Sequence, residues 1–350
     1  MKPERRTIRV VAYRGGGRSR IEERPVPEPG VGELLLRLHC CGLCGTDLYK
    51  IINDTVPAGT VLGHELVGDV AAVGADVASF AVGDRVVVPH HVACGECALC
   101  RRGAETQCPT FKENLLEPGG FSALVLVRPR AVARAARRVP DGVGDEAAAF
   151  MEPAACVLRG IDRAGLPGDG GFAVILGAGS MGLLHLLVLR AVRPELAVVV
   201  IDPLPERRRR AEALGAHAAG EPGQAASLIA EVSAGAGADV AFDTVGGSGP
   251  LKDAVDLLRP GGTAVLFAHA RDGEPAGFEL NPFFKTEKRL VTTYSGGLAE
   301  QARIAELLFS GRLDPSPLVT HRLPFAAFDE AVALTRSHQA LKVLLRPEAI

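Results

Sequence analysis

Residues 172–182 read FAVILGAGSMG, an apolar run that passes directly into the pattern G-x-G-x-x-G. With the apolar stretch 183–189 after it, the segment predicts a buried strand, a tight glycine turn and a helix. Gly177 permits the turn, Gly179 lets a pyrophosphate approach the backbone, and Gly182 allows the helix to pack closely on the strand. Ser180 and Met181 open the helix at the phosphates. Read as a membrane span, 172–189 has just the minimum length, and three glycines, Ser180 and His185 interrupt it.

The same alternation continues on the C-terminal side. Strands are expected at 172–176, 197–201, 239–242, 263–267 and 290–293, with helices at 181–190, 206–214, 251–258 and 298–308. This is an α/β pattern of βαβ units in a doubly wound parallel sheet. The second strand ends at Asp202, about twenty residues past Gly182, where a carboxylate can bind both hydroxyls of an adenosine ribose. Asp202 would repel a 2′-phosphate, which favours NAD over NADP. Against that, Arg207 to Arg210 follow at once, and Arg207 is kept as a cofactor contact although the run also reads as a solvated helix face. Asp243, at the end of a later strand, is read as a capping or turn residue without a chemical role.

The first third differs. Short Val/Leu runs at 32–38, 66–73 and 84–88 are broken by Gly and Pro, which predicts a β-rich domain. The tail from 311 holds Pro315, Pro317 and Pro324 and a last strand near 341–345. The expected layout is a first domain at 1–155 carrying a cysteine lobe at 90–110, a nucleotide domain at 156–295, and a return to the first domain at 296–350. A chain of 350 residues accommodates two such domains sharing a cleft.

Hydrophobic residues make up 47% and charged residues 23%, which removes compositional support for a disordered chain. A net charge of −2, no Trp and three Tyr argue against nucleic acid or an anionic membrane as partner. The polar, basic residues 1–10 lead into no apolar stretch, so the expected compartment is the cytoplasm.

Cys94, Cys97, Cys100 and Cys108 form C-x2-C-x2-C-x7-C, a spacing that folds round one tetrahedral Zn²⁺. A disulfide framework conflicts with a reducing compartment. The ferredoxin pattern has a shorter last gap, and a nucleic-acid finger needs a basic setting that Glu96 and Glu105 offset here. A second set comprises Cys44 in GLCGTD (42–47), His64 and Glu65 after Gly63, and Glu152. A thiolate, an imidazole and carboxylates make an open zinc site. Taken singly, each has a plainer reading as a packed or surface residue. Cys41 with Cys44 also spells C-x-x-C, without a thioredoxin-like setting, and Cys40 and Cys156 read as packing residues.

Taken in order, the GLCGTD segment, Gly63-His64-Glu65, the four-cysteine lobe, Glu152-Pro153 and the central glycine pattern resemble the zinc-dependent medium-chain dehydrogenase/reductases, most of all the sorbitol, threonine and butanediol dehydrogenase branch. The resemblance spans nearly the whole chain. It implies a GroES-like β-rich catalytic domain beside a Rossmann domain. It also implies catalytic zinc on Cys44 and His64, with Glu65 and Glu152 as ligand or near neighbour, and a structural zinc on the four-cysteine lobe. Zinc in such a site acidifies an alcohol, and hydride passes from its carbon to NAD⁺. Thr46 would relay the alcohol proton. Tyr49 stands where the family often continues the relay with histidine, so a phenol either passes the proton on or only packs. His90 and His91 precede the lobe, at a place that borders the substrate pocket in relatives.

The polar surroundings suit a small hydroxylated substrate: a polyol, sugar or amino-alcohol. A homodimer or homotetramer is expected from the family. Two other readings stay open at this point, a metal-free NADPH reductase of quinone-oxidoreductase type and a non-catalytic dinucleotide-sensing protein; metal analysis and turnover separate them.

Overall fold

The structure is a computed structural model that describes residues 6–168 and 170–348. The chain divides into two compact units, Ala154–Gly296 and the combination of Met1–Pro153 with Gly297–Ile350.

In the central unit six parallel strands stand in the order Ala218–Gly220, Ala197–Ile201, Phe172–Leu176, Ala238–Asp243, Leu258–Leu266 and Arg289–Thr292. Chain order reverses between Phe172–Leu176 and Ala238–Asp243, and at such a switch point the strand ends open a crevice for a ligand. Both faces of the inner strands are covered. Val174, Leu176, Val199 and Ile201 sit in one apolar cluster, while Ala173, Ile175, Val198 and Val200 on the other face are fully buried as well. Strands buried on both sides need continuous apolar runs rather than alternation, which is why 172–176 and 197–201 are so uniform. The doubly wound sheet is the one expected from the glycine pattern.

The former membrane candidate is the strand Phe172–Leu176, the turn and the helix Ser180–Val192. Among the described residues no helix is long and apolar enough to cross a membrane. Several elements were not anticipated, among them the helices Ala225–Val232 and Leu280–Lys285 and the two that follow. The strand Ala218–Gly220 lacks β-branched residues and forms by parallel pairing with Val199–Ile201, a tertiary effect. The helix Met151–Ala164 buries Ala154, Val157, Leu158 and Ile161 at helical spacing, and Pro153 is tolerated in its first turn.

Gly160 interrupts that helix, where glycine costs backbone entropy. A Cβ placed there would meet Thr293 Cγ2 at 3.4 Å, Phe267 Cδ2 at 3.6 Å and His185 Nε2 at 3.9 Å, all ordinary contacts. Gly160→Ala is therefore expected to stabilise the protein by about 0.5–1 kcal/mol. A raised denaturant midpoint at unchanged slope checks it; an unchanged or lower midpoint would show that the position cannot take a methyl group.

The other unit is built on an eight-stranded sheet. Its main path runs Val319–Pro324, Lys342–Arg346, Leu34–Gly42, Glu65–Val73, Arg85–Val88 and Arg137–Arg138, and Leu124–Val127 with Leu116–Glu117 joins at Leu34–Gly42. The N-terminal residues, read as polar from sequence, instead form the hairpin Thr7–Gly15 with Arg18–Pro25, and Val10, Val11, Ala12 and Tyr13 are buried. Register places the chemistry: Gly42 pairs with Glu65 on one side and with Leu344 on the other. Two remote strands thus meet beside the segment that leads into Cys44.

Candidate active site and metal centres

Cys44 caps the helix Gly45–Ile52, its Sγ accepting the Thr46 N–H at 3.5 Å. Asp47, fully buried in that helix, ties the neighbouring pieces together. Its carboxylate accepts the Cys44 N–H at 3.2 Å and the Gly63 N–H at 3.3 Å, and lies 3.5 Å from His64 Nδ1. Burial works against the Asp47 charge, but His64 and the Cys44 N–H outweigh it and hold the carboxyl below its usual range. With Nδ1 turned to Asp47, Nε2 is the His64 nitrogen that could bind a metal ion.

One donor atom each from Cys44, His64 and Glu65 lies within 4.8 Å of the others. The side chain of Glu65 crosses the strand at Gly42, where a Cβ would come 2.0 Å from Glu65 Oε2. Glycine at 42 is therefore a condition for this orientation of Glu65. On the far side the carboxylate meets the Lys342 ammonium at 2.7 and 2.9 Å, both groups being buried. Burial alone would lower the Lys342 pKa; the charges of Glu65, Cys44 and Glu152 raise it instead.

Glu152 is buried but stands outside the three-donor group, with Oε1 3.9 Å from His90 Nδ1. His90 stacks between His64 and His91, at ring separations of 4.4 and 3.7 Å. Burial, with repulsion from His64 and His91, pushes His90 well below the usual imidazole range, and burial brings His91 to about 4, so both rings are neutral near pH 7. Thr46 and Tyr49 are half-buried on the same helix as Asp47. Sequence reasoning quoted Asp47 without a role and missed Lys342 altogether. The spacing of Asp47 to its helix cap was a usable signal; for Lys342, remote in sequence, there was none.

In the cysteine lobe, Sγ separations are 3.5 Å for Cys94–Cys108, 3.5 Å for Cys97–Cys100 and 3.9 Å for Cys94–Cys100. Four sulfurs about 2.3 Å from a common centre would stand roughly 3.8 Å apart in a tetrahedron, whereas a disulfide needs about 2.05 Å. The loop therefore fits a tetrathiolate ion. Backbone N–H groups already point at the sulfurs, from Cys97 to Cys94 at 3.4 Å and from Cys94 to Cys108 at 3.5 Å. Burial of Cys108 is outweighed by the Cys94 N–H and by Thr110, and its thiol falls to about 6, while burial and the neighbouring thiols push that of Cys100 up to about 12.

At the glycine turn, Gly177 has φ +94°, and a Cβ on Gly182 would fall 1.9 Å from the Gly177 oxygen. Neither position accepts a larger residue without moving the turn. Asp202 is buried at the strand end, one oxygen accepting the Ala178 N–H at 2.7 Å and the other the Leu204 N–H at 2.8 Å. Ala178 lies within the glycine turn, so the carboxylate is fixed beside it. The Arg207 guanidinium approaches Gly179, whose Cβ would sit 3.8 Å from Nη1. Arg208 instead turns back to the Asp202 carbonyl at 2.8 Å. Asp243 accepts the Val245 and Gly246 N–H groups at 3.0 and 2.9 Å, the turn role expected for it.

Comparison with known proteins agrees with this architecture. Residues 30–140 match the family model for the alcohol dehydrogenase GroES-like domain, and residues 181–310 match that for zinc-binding dehydrogenases. The chain is 28% identical over 347 residues to a sorbitol dehydrogenase of Halalkalibacterium halodurans, covering 97% of this chain and 98% of that one. It is 30% identical over 335 residues to an L-threonine 3-dehydrogenase of Mesorhizobium japonicum, with 93% and 94% covered. A zinc-binding dehydrogenase-type protein of Sinorhizobium meliloti 1021, solved with NADP bound, superposes at a TM-score of 0.86 with 26% identity, covering 98% of this chain and all of that one. Glycine turn, converging sulfur, nitrogen and oxygen donors, and family models on both units lead to one conclusion: the chain belongs to the zinc-type medium-chain dehydrogenases, enzymes that work with zinc and a nicotinamide dinucleotide.

Proposed function

We propose that the enzyme oxidises a small secondary alcohol carrying further hydroxyl or amino groups, a polyol, sugar or amino-alcohol, with NAD⁺ as hydride acceptor. The observation that carries this reading is the convergence of Cys44, His64 and Glu65, with Asp47 fixing two of them from behind. These three residues would hold the catalytic zinc, with Glu152 as a nearby carboxylate able to exchange with water. When bound, the ion supplies Lewis acidity to an alcohol oxygen.

The chain's own groups do the rest. Asp47 keeps His64 in one tautomer and orientation. The Thr46 hydroxyl, two positions past the Cys44 cap, takes up the alcohol proton and hands its own outward, with Tyr49 on the next turn as the following group or as a packing neighbour. The neutral imidazole of His90 and the Glu152 carboxylate offer an acceptor each to extra substrate hydroxyls, which is the support for a polar substrate.

Asp202 supports NAD over NADP. Although both oxygens accept a backbone N–H, each keeps a lone pair for a ribose hydroxyl, and the fixed charge disfavours a 2′-phosphate. The glycine turn of Gly177, Gly179, Ser180, Met181 and Gly182, with Arg207, would carry the pyrophosphate. The lobe cysteines would hold a structural zinc.

We take the partner to be a second copy, as homodimer or homotetramer; the exposed outermost strand Arg289–Thr292 and exposed Leu280 and Phe284 support a covered face there. Eight free thiols support a reducing compartment such as the cytoplasm. The test is zinc content measured together with NAD⁺ and NADP⁺ reduction over polyols, sugars, threonine and butanediol. Two zinc per chain and turnover that disappears with the more labile ion are expected. Undiminished oxidation after complete zinc removal would sink the proposal.

A further inference from the structure

The helix Pro129–Arg134 lies outside the cysteine loop, yet two of its arginines reach the loop's two ends. Arg134 donates through Nη1 to the Cys94 carbonyl. Arg130, one turn earlier on the same face, donates through Nη2 to the Thr110 carbonyl at 2.8 Å and pairs with Glu113 at 2.7 Å. Nearby arginines point elsewhere, Arg128 to Glu33 and Glu117, and Arg138 to Asp84. Within the loop Arg101 donates to the Glu96 carbonyl, while Arg130 and Arg134 reach it from the helix outside.

The Arg134 contact falls on a sensitive peptide. The Cys94 carbonyl belongs to the rigid peptide plane that joins Cys94 to Gly95, so a donor on that oxygen restrains the backbone of Cys94 itself. On its other side, the Cys94 N–H donates to Cys108 Sγ at 3.5 Å. A guanidinium on the carbonyl therefore steadies the residue whose own N–H is aimed at the Cys108 sulfur and whose sulfur belongs to the four-cysteine cluster. Gly95 makes the approach feasible: at φ +82° it bears no side chain, and a Cβ would come 1.9 Å from Arg134 Nη2. Charge works in the same direction, since four thiolates around a divalent ion leave a net charge of about −2, and a guanidinium beside the loop offsets part of it.

We propose that Arg134, with Arg130 at the far end, is a positioning residue for the metal of the cysteine loop: gripping the Cys94–Gly95 peptide, it holds the Cys94 sulfur and the Cys94 N–H in place and sets how fast the ion escapes. The inference rests on the loop being a zinc site, and its experiment separates the two ideas. Full-length protein carrying Cys44→Ala, so that the loop holds the remaining ion, is challenged with a chromophoric chelator.

Arg134→Ala is expected to speed zinc release by about tenfold or more, the usual range for groups that orient ligands. Arg134→Lys, with the charge but not the planar fork, recovers part of the retention, and Arg130→Ala has a smaller effect. With cobalt in the loop, the sulfur-to-metal charge-transfer band shifts in Arg134→Ala while the far-ultraviolet circular dichroism stays unchanged. Should Arg134→Ala not fold, Arg134→Gln, which keeps most of the stem but loses the charge and the planar fork, is expected to give the same faster release. Release at the parental rate in these variants overturns the clamp alone. A parental loop without zinc overturns both the clamp and the zinc reading.

Discussion

Cys44→Ala is expected to leave one zinc of two in the protein and to lower kcat/KM by about a thousandfold or more, roughly 4 kcal/mol of transition-state stabilisation. The substitution removes one of three converging donors and leaves the cysteine lobe, a separate part of the chain, untouched. Asp47 still holds His64 and the Gly63 N–H, so the local fold keeps most of its ties. The competing account, Cys44 as a small packed side chain, makes a nearly opposite forecast, because alanine replaces a half-buried thiol at little cost. Metal content by atomic emission, read beside steady-state kinetics, decides between them. Retention of both ions with near-parental turnover would refute the assignment.

Lys342→Met is expected to cost about 3–5 kcal/mol of stability in metal-free protein, the range for stranding one member of a buried ion pair. The ammonium is the partner seen for Glu65, at 2.7 and 2.9 Å, and water has little access to either group. Without it the Glu65 carboxylate must become protonated or find another cation. A divalent ion beside Cys44 and His64 is such a cation, so zinc should recover part of the loss. Adding Glu65→Gln should likewise recover part, because the stranded charge is gone. Denaturant midpoints of the single and double variants, with chelator and with zinc, test this. A single-variant loss below about 1 kcal/mol would mean that the pair contributes little.

Much of the central unit was legible because its information is local. The run 172–176 and the glycines after it specify strand, turn and helix without help from elsewhere, and Asp202 follows at the distance that one βαβ step requires. The four cysteines are close enough in sequence for their spacing to define a tetrahedron. Where pairing across the chain decides, the sequence was silent. Ala218–Gly220 becomes a strand only beside Val199–Ile201, and in the hairpin from Thr7 the buried run Val10–Tyr13 is flanked by exposed Arg9 and Arg14 and pairs with a strand of charged residues. Lys342 looks like the first residue of an ordinary late strand until the fold brings its side chain against Glu65. Reading Glu152 as an equal of Glu65 had the same limit, since only three-dimensional placement puts it beside His90.

The interleaved order of the two units has a consequence for biosynthesis. The unit Ala154–Gly296 has all its strands once residue 296 has left the ribosome. The unit that surrounds it in sequence must wait for Val319–Pro324 and Lys342–Arg346. Until Lys342–Arg346 arrives, the edge at Cys41 and Gly42 stays open on that side and the Glu65 carboxylate has no lysine to meet. A stalled or prematurely terminated chain is thus left with an adhesive strand edge and a metal cradle that carries an uncompensated negative charge, a form suited to capture by chaperones or proteases.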